Sequence, residues 1–306
     1  IYVRNKLSAL DVKRLRYKDA DELVGAAEKA EYGTAIGRLI WVLPTQPKHS
    51  YEVSFLSRFR AFPRVKHFRR LSAVIEAIKQ NPGRVFLPRL PRDAPLKLIA
   101  IVDAGAGELA DEPLKTRDHA CVCVCLAAPK HGATSPPQAE VYAGIVSWQS
   151  CGLSRVTHAS FDFEAVTAVS SLDLLANMRE ILGEVTISIC PPRGPARDAW
   201  RRQLPVAQLF TDSMGLVKAV RLGVTSSLSN RRRRDILDLR EALELNDLSA
   251  IIHINGTTNP SDVGTKTGSS TKKAMPAAEA LVERGSYVPD ISDDYQKSFL
   301  CFEMLQ

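Results

Sequence analysis

The stretch Leu96-Lys97-Leu98-Ile99-Ala100-Ile101-Val102-Asp103-Ala104-Gly105-Ala106-Gly107 decides the fold class. A short apolar run closes on an acid and a turn of small residues, which is the pattern of a buried strand. An acid at the end of such a strand meets the edge of a sheet, where ligands bind in α/β folds. Downstream, strands are expected at 120–127 and 141–148, then a long helix over 162–182. On that helix Ala165, Val169, Leu172 and Ala176 sit one above another, backed by Leu175, Met178 and Leu182. A proline-rich loop covers 191–195. A fourth strand over 206–211 ends at Asp212, and helices follow over 213–222 and 231–245. A fifth strand spans 251–254, and Asn259-Pro260-Ser261-Asp262 reads as the start of a last helix. The order is three strands, helix, strand, two helices, strand and helix, the pattern of an α/β domain.

Upstream the pattern is helical and basic. Ile36, Leu39, Ile40 and Leu43 share one helical face before Pro44 and Pro47 break it. A second helix turns Val53, Leu56 and Phe59 inward and Arg58 and Arg60 toward the rim. A third, over 65–80, repeats Val65, Phe68, Leu71, Ile75 and Ile78, with Lys66, Arg69, Arg70 and Lys79 between them. Asn81-Pro82-Gly83 stops it, and Pro88, Pro91 and Pro95 mark a boundary. The chain therefore divides into a lead-in (1–30), a small helical unit (31–95), an α/β domain (96–268) and a tail (269–306), the tail read as either a helix around 277–282 or a disordered end.

Composition bounds the function. The 306 residues are 45% hydrophobic and 25% charged, as in an ordinary globular protein, and no apolar run is long enough to span a membrane. Ile1 stands where an initiator Met would, with no apolar stretch behind Arg4 and Lys6, so the chain reads as a piece of something longer without a signal peptide. Six cysteines form no disulfide framework, and Cys121, Cys123 and Cys125 alternate along a strand without zinc-ligand spacing. They read as buried small side chains in an intracellular, reducing compartment. Residues 1–95 carry a net charge of +10 and the remainder −3. A basic part beside an acidic one suits a polyanion-binding unit joined to one that uses carboxylates. The arginine run 231–234 suits a phosphate grip, or equally a solvated helix start. Ser57 and Ser147 have no His/Asp setting for nucleophilic catalysis. Trp148 and His253 read as core residues, and His49 and His67 as structural.

Four acids fall at element ends: Asp103, Glu164, Asp212 and Asp262. Singly, each reads as a cap or surface carboxylate. Together at one sheet edge they repel one another unless cations sit among them, and Mg²⁺ prefers such hard oxygen ligands.

These segments resemble the end of the reverse transcriptase and the following ribonuclease H domain of copia-type retrotransposon Pol polyproteins. The resemblance runs over residues 31–268. It is carried by Ile36-Gly37-Arg38-Leu39-Ile40, Thr45-Gln46-Pro47, Leu56-Ser57-Arg58-Phe59 and His67-Phe68-Arg69-Arg70 in the helical part. In the α/β part it is carried by Ile101-Val102-Asp103-Ala104, Ile145-Val146-Ser147-Trp148-Gln149-Ser150, Ser160-Phe161-Asp162-Phe163-Glu164-Ala165, Thr211-Asp212-Ser213-Met214-Gly215 and Asn259-Pro260-Ser261-Asp262-Val263-Gly264-Thr265-Lys266. The resemblance implies an α/β, ribonuclease H-like fold, a mixed five-stranded sheet flanked by helices, preceded by a small helical thumb- or connection-like unit. It implies two Mg²⁺ ions (or Mn²⁺) on Asp103, Glu164, Asp212 and Asp262, with Asp162 the competitor of Glu164. It implies hydrolysis of the RNA strand of an RNA–DNA hybrid, with Arg58, Lys66, Arg69, Arg70, Arg231, Arg232, Arg233 and Arg234 on the nucleic acid. The implied partners are the hybrid and an upstream polymerase domain, whose active site lies outside residues 31–268, and the implied setting is a cytoplasmic particle or the nucleus. Two departures stand out: Ala104-Gly105-Ala106 replaces the Trp usual two residues after the first Asp, and Arg232-Arg233-Arg234-Asp235-Ile236 replaces a Lys-His-Ile-Asp segment. They motivate the alternative reading, a catalytically dead or structural nucleic-acid-binding domain of a decayed transposon copy.

Overall fold

The computed structural model describes residues 10–91, 94–105, 118–130, 140–153, 160–192, 194–223, 230–266 and 271–292. The basic N-terminal part folds as three helices, α1 (Ala26–Val42), α2 (Ser50–Ser57) and α3 (Val65–Gln80). α1 begins inside the stretch read as a lead-in. Its buried stripe is Tyr32, Ala35, Ile36, Leu39 and Val42, so Ile40, expected inward, is instead about half exposed beside an exposed Trp41. The Tyr32 ring carries the stripe one turn further back, and its hydroxyl donates to the Leu56 carbonyl at 2.7 Å, which ties α1 to α2. Every apolar position expected on α3 is buried. These helices share one apolar core, which also takes in Leu10 and Leu15.

The rest of the described chain surrounds a six-stranded sheet with strand order β5-β4-β1-β2-β3-β6. Its strands are β1 (Lys97–Gly105), β2 (His119–Pro129), β3 (Val141–Gly152), β4 (Val206–Thr211), β5 (Ala250–His253) and β6 (Ser286–Tyr287). β1, β2 and β3 run antiparallel in sequence, whereas β4 and β5 lie parallel to β1. This is the expected mixed α/β architecture, a sheet with flanking helices. Its one addition is β6, which pairs with the start of β3 and comes from the stretch read as a tail. β6 follows α8 (Met275–Arg284), which closes on Gly285 at φ +60°.

Four further helices flank the sheet: α4 (Ser160–Thr186), α5 (Pro195–Arg201), α6 (Met214–Leu222) and α7 (Asn230–Glu244). α5 was not expected; it starts on the proline that ends the expected loop, as proline at a first helical turn allows. The face of α4 is rotated from the expected one. Ala165, Ala168, Ser171 and Leu175 are its buried stripe, and Ala176 is exposed. Small side chains at 165, 168 and 171 let the helix lie close on β1. The expected last helix is two short 3-10 turns, Gly256–Thr258 and Pro260–Gly264. Asn255 and Asn259 cap them by accepting from Thr257 N and Ser261 N, side-chain bonds that compete with a regular helix. Cys121, Cys123 and Cys125 are buried in the sheet, as read from their alternation. Among the described residues no helix is long and apolar enough to cross a membrane.

Candidate functional site: a carboxylate cluster at the sheet edge

β1 and β4 are parallel neighbours with Val102 opposite Thr211, so the chain places Asp103 and Asp212 side by side where the two strands end. α4 crosses β1 at its first turns and brings Glu164 to the same edge. Each of Asp103, Glu164 and Asp212 offers a carboxylate oxygen, and the three oxygens lie within 4.8 Å of one another. Asp103 is 1% exposed and Glu164 8%. Asp262, the fourth expected acid, reaches the cluster by another route: it pairs with the ammonium of Lys266, whose Nζ is 3.9 Å from Asp103 Oδ2. Asp162 stays out of the cluster and pairs with Arg232, with Nη2–Oδ2 at 3.1 Å. Of the two acids open in the sequence, Glu164 is therefore the one that faces Asp103.

The turn carrying Asp262 is pinned to β1 by its neighbours. Asn259 Nδ2 donates to the Val102 carbonyl at 3.1 Å, and Ser261 Oγ to the Ile101 carbonyl at 2.7 Å. The Thr265 hydroxyl donates to Asp103 Oδ2. Thr265 and Lys266 were quoted in the motif but given no role. A hydroxyl and an ammonium carry no signal in sequence until the turn folds back onto β1.

Crowding sets the electrostatics. Burial pushes the Asp103 carboxyl up to about 7; Lys266 opposes this, and Asp212 and Asp262 add to it. Glu164 is pushed well above the usual carboxylate range by burial, then by Asp103 and Asp212. Asp212 is raised by burial, against the pull of Lys266. Lys266 is held above its ordinary value because Asp103, Asp262 and Asp212 outweigh its burial. A carboxyl raised in the folded chain binds a proton there that the unfolded chain has released. Its contribution to stability is thus present below about pH 4 and is lost as pH rises toward about 7. In EDTA, the melting temperature is expected to fall between pH 5 and pH 8 by on the order of 5 °C. A scan by circular dichroism checks this, and a melting temperature that rises over that interval contradicts it.

The expected nucleic-acid contacts divide. Arg70 makes two bonds to Glu52, at 2.7 and 2.8 Å, and Arg69 donates to the carbonyls of Leu15 and Lys18. Lys66 pairs with Asp21, Arg58 meets His119 on β2, and Arg232 holds Asp162. Each of these five, read from sequence as facing a polyanion, also braces the fold, through an acid, a carbonyl or a ring nitrogen supplied by another element. Arg233 is half-buried, whereas Arg231 and Arg234 are exposed at the start of α7. Trp148 packs against the sheet core and donates to Ser50 Oγ at 2.9 Å, in keeping with its packing role. His67 stacks on Phe59 at 3.7 Å and accepts from the Arg64 amide.

No family model matches the sequence, and no curated protein matches it. Among solved structures, the chain is similar to RNase H1 from the halophilic archaeon Halobacterium salinarum NRC-1, at 17% identity and a TM-score of 0.33, over 54% of this chain and 90% of that one. It is also similar to the protease-reverse transcriptase of prototype foamy virus, at 11% identity and a TM-score of 0.32. That match covers 75% of this chain and 29% of the viral one.

Proposed function

We propose that this chain is a ribonuclease H-type hydrolase that cuts the RNA strand of RNA–DNA hybrids, from the Pol polyprotein of a copia-type retrotransposon. The observation that carries the reading is the convergence of Asp103, Glu164 and Asp212 at the end of two parallel strands. Three carboxylates so close, Asp103 and Glu164 buried and Asp212 half-buried, favour a cation, and Glu164 Oε2 is buried with no hydrogen-bond partner in the protein. The donor set, all carboxylate oxygen, suits Mg²⁺ or Mn²⁺. Asp103, Glu164 and Asp212 would hold the metal, with Asp262 beside them. Bound there, two ions supply an activated water and charge stabilisation for a leaving oxygen. The chain's own residues do the positioning. Thr265 orients the Asp103 carboxylate by donating to one oxygen. Asn259 and Ser261 fix the turn that carries Asp262. Lys266 balances Asp262 and Asp103, so that the cluster is not a bare concentration of negative charge.

The exposed Arg231 and Arg234 are the phosphate contacts of this reading, and recognition rests on groove shape and the 2′-OH. The helical unit, residues 31–95, stands as the thumb- or connection-like end of the reverse transcriptase, and residues 96–268 as the hydrolase. One observation favours the second reading, a structural or decayed domain: Lys266 already gives the acids an internal cation. Cleavage of a labelled hybrid with Mg²⁺, beside an EDTA control and Asp212→Asn, separates the two. Metal-dependent loss of the RNA strand that Asp212→Asn abolishes is the expected result. Hybrid binding by a folded chain without cleavage establishes the second reading.

A further inference from the structure

The helical unit reaches the carboxylate cluster through a chain of hydrogen bonds. Arg58, at the end of α2, places Nη2 2.6 Å from His119 Nδ1. His119 Nε2 lies 2.8 Å from Ser150 Oγ, and that hydroxyl donates to the Gly264 carbonyl at 2.7 Å. A guanidinium has no lone pair to accept with, so it fixes the direction of every link. Nδ1 must accept, Nε2 must carry the proton and donate to Ser150, and Ser150 must donate onward. Burial, and then the Arg58 charge, push His119 down to about 3, so the ring is neutral and the chain of donors keeps one sense.

The surroundings are shaped for this path. A Cβ at Gly152 would lie 2.8 Å from Arg58 Nη2, so only glycine leaves room for the guanidinium there. The Tyr51 ring meets the His119 ring edge-on at 4.8 Å, and His119 is 1% exposed. At the far end, Gly264 lies in the turn that carries Asp262, Thr265 and Lys266.

We propose that Arg58 and His119 are positioning residues for that turn: the path from Arg58 through His119 and Ser150, made where the helical unit docks on β2 and β3, sets the backbone that presents Asp262, Thr265 and Lys266 to the cluster. The consequence for cleavage rests on the hydrolase reading; the coupling itself does not. In a polyprotein fragment such coupling makes the site depend on the preceding unit being folded and docked.

The test is hydrogen exchange of the turn in the full chain. The Asp262 amide donates to the Asn259 carbonyl, and the Thr265 amide to the Asp262 carbonyl. Arg58→Met and Ser150→Ala are each expected to speed exchange over residues 259–266 by about tenfold, the scale of one lost buried hydrogen bond. The double variant is expected to add nothing further, because both cuts fall on one path. Arg58→Lys should restore part of the protection. Ser50→Ala removes the docking bond from Trp148 and leaves the path intact, so the turn should exchange as in the wild type. Wild-type exchange in Arg58→Met overturns the proposal, and so does an equal rise in Ser50→Ala, since the turn would then respond to Trp148, which packs on Val263, and not to the path from Arg58. On the hybrid, Arg58→Met is expected to lower kcat with little change in KM. A wild-type chain that binds hybrid without cutting it would sink the hydrolase reading alone, and the exchange result would still decide the coupling.

Discussion

Asp103→Asn is expected to abolish hybrid cleavage and, in EDTA at pH 8, to raise the melting temperature. The two effects have one source. Asp103 sits at the centre of the cluster, almost wholly buried, with Glu164 and Asp212 against it. The variant keeps the shape of the side chain, and its amide oxygen still accepts from Thr265. What goes is one negative charge. A cation bound by the remaining acids loses a ligand, and a loss of about a thousandfold in kcat/KM, or about 4 kcal/mol in barrier, is the expected scale. Without metal the same charge is a burden, since burial holds its carboxyl up at about 7. At pH 8 the wild type must ionise that group inside the fold and the variant need not, so the variant is the more stable. Near pH 4 both side chains are neutral and the advantage should vanish. Calorimetry at the two pH values reads the stability, and a labelled hybrid reads the cleavage. Full cleavage by Asp103→Asn sinks the site assignment, and a variant destabilised at pH 8 would show that the acids do not repel.

Gly264→Ala is expected to destabilise the chain by about 2 kcal/mol, the scale of overpacking a filled core. A Cβ built on Gly264 would overlap Cys121 Sγ and lie 2.8 Å from Cys121 Cβ. Neither atom is the end of a flexible side chain: Cys121 lies fully buried in β2, opposite Asp103 on β1. The turn or the strand must shift, and a shift of the turn moves Asp262 and Lys266 with it. Cys121→Ala removes the nearer atom and should return part of the lost stability. Urea midpoints of the two single variants and the double variant check this. An unchanged midpoint in Gly264→Ala would mean that the turn has room the close approach denies.

Much of the architecture was legible because its signals are local. β1 announces itself as an apolar run ending in an acid, and α3 repeats its apolar residues at helical spacing. Other signals misled for physical reasons. α4 carries two overlapping apolar stripes, and the choice between them was made by the small residues that let it approach β1. Two residues, Ser286 and Tyr287, make a strand only because β3 has an edge to receive them. The basic side chains of the helical unit are no more distinctive in sequence when they brace a fold than when they face solvent.

By itself the sequence determined five strands and the helices among them, the basic helical unit, and four acids at element ends, since strand and helix periodicity and chain breaks are written in neighbouring residues. The tertiary structure decided which acids meet. It chose Glu164 over Asp162, because Arg232 from α7 takes the latter. It set Lys266 against Asp262 and led Arg58 through His119 and Ser150 to Gly264, joining residues that lie up to about two hundred positions apart. Burial and charge act through space, and the energies that set this site arise only where the folded chain brings distant residues within a few ångströms of one another.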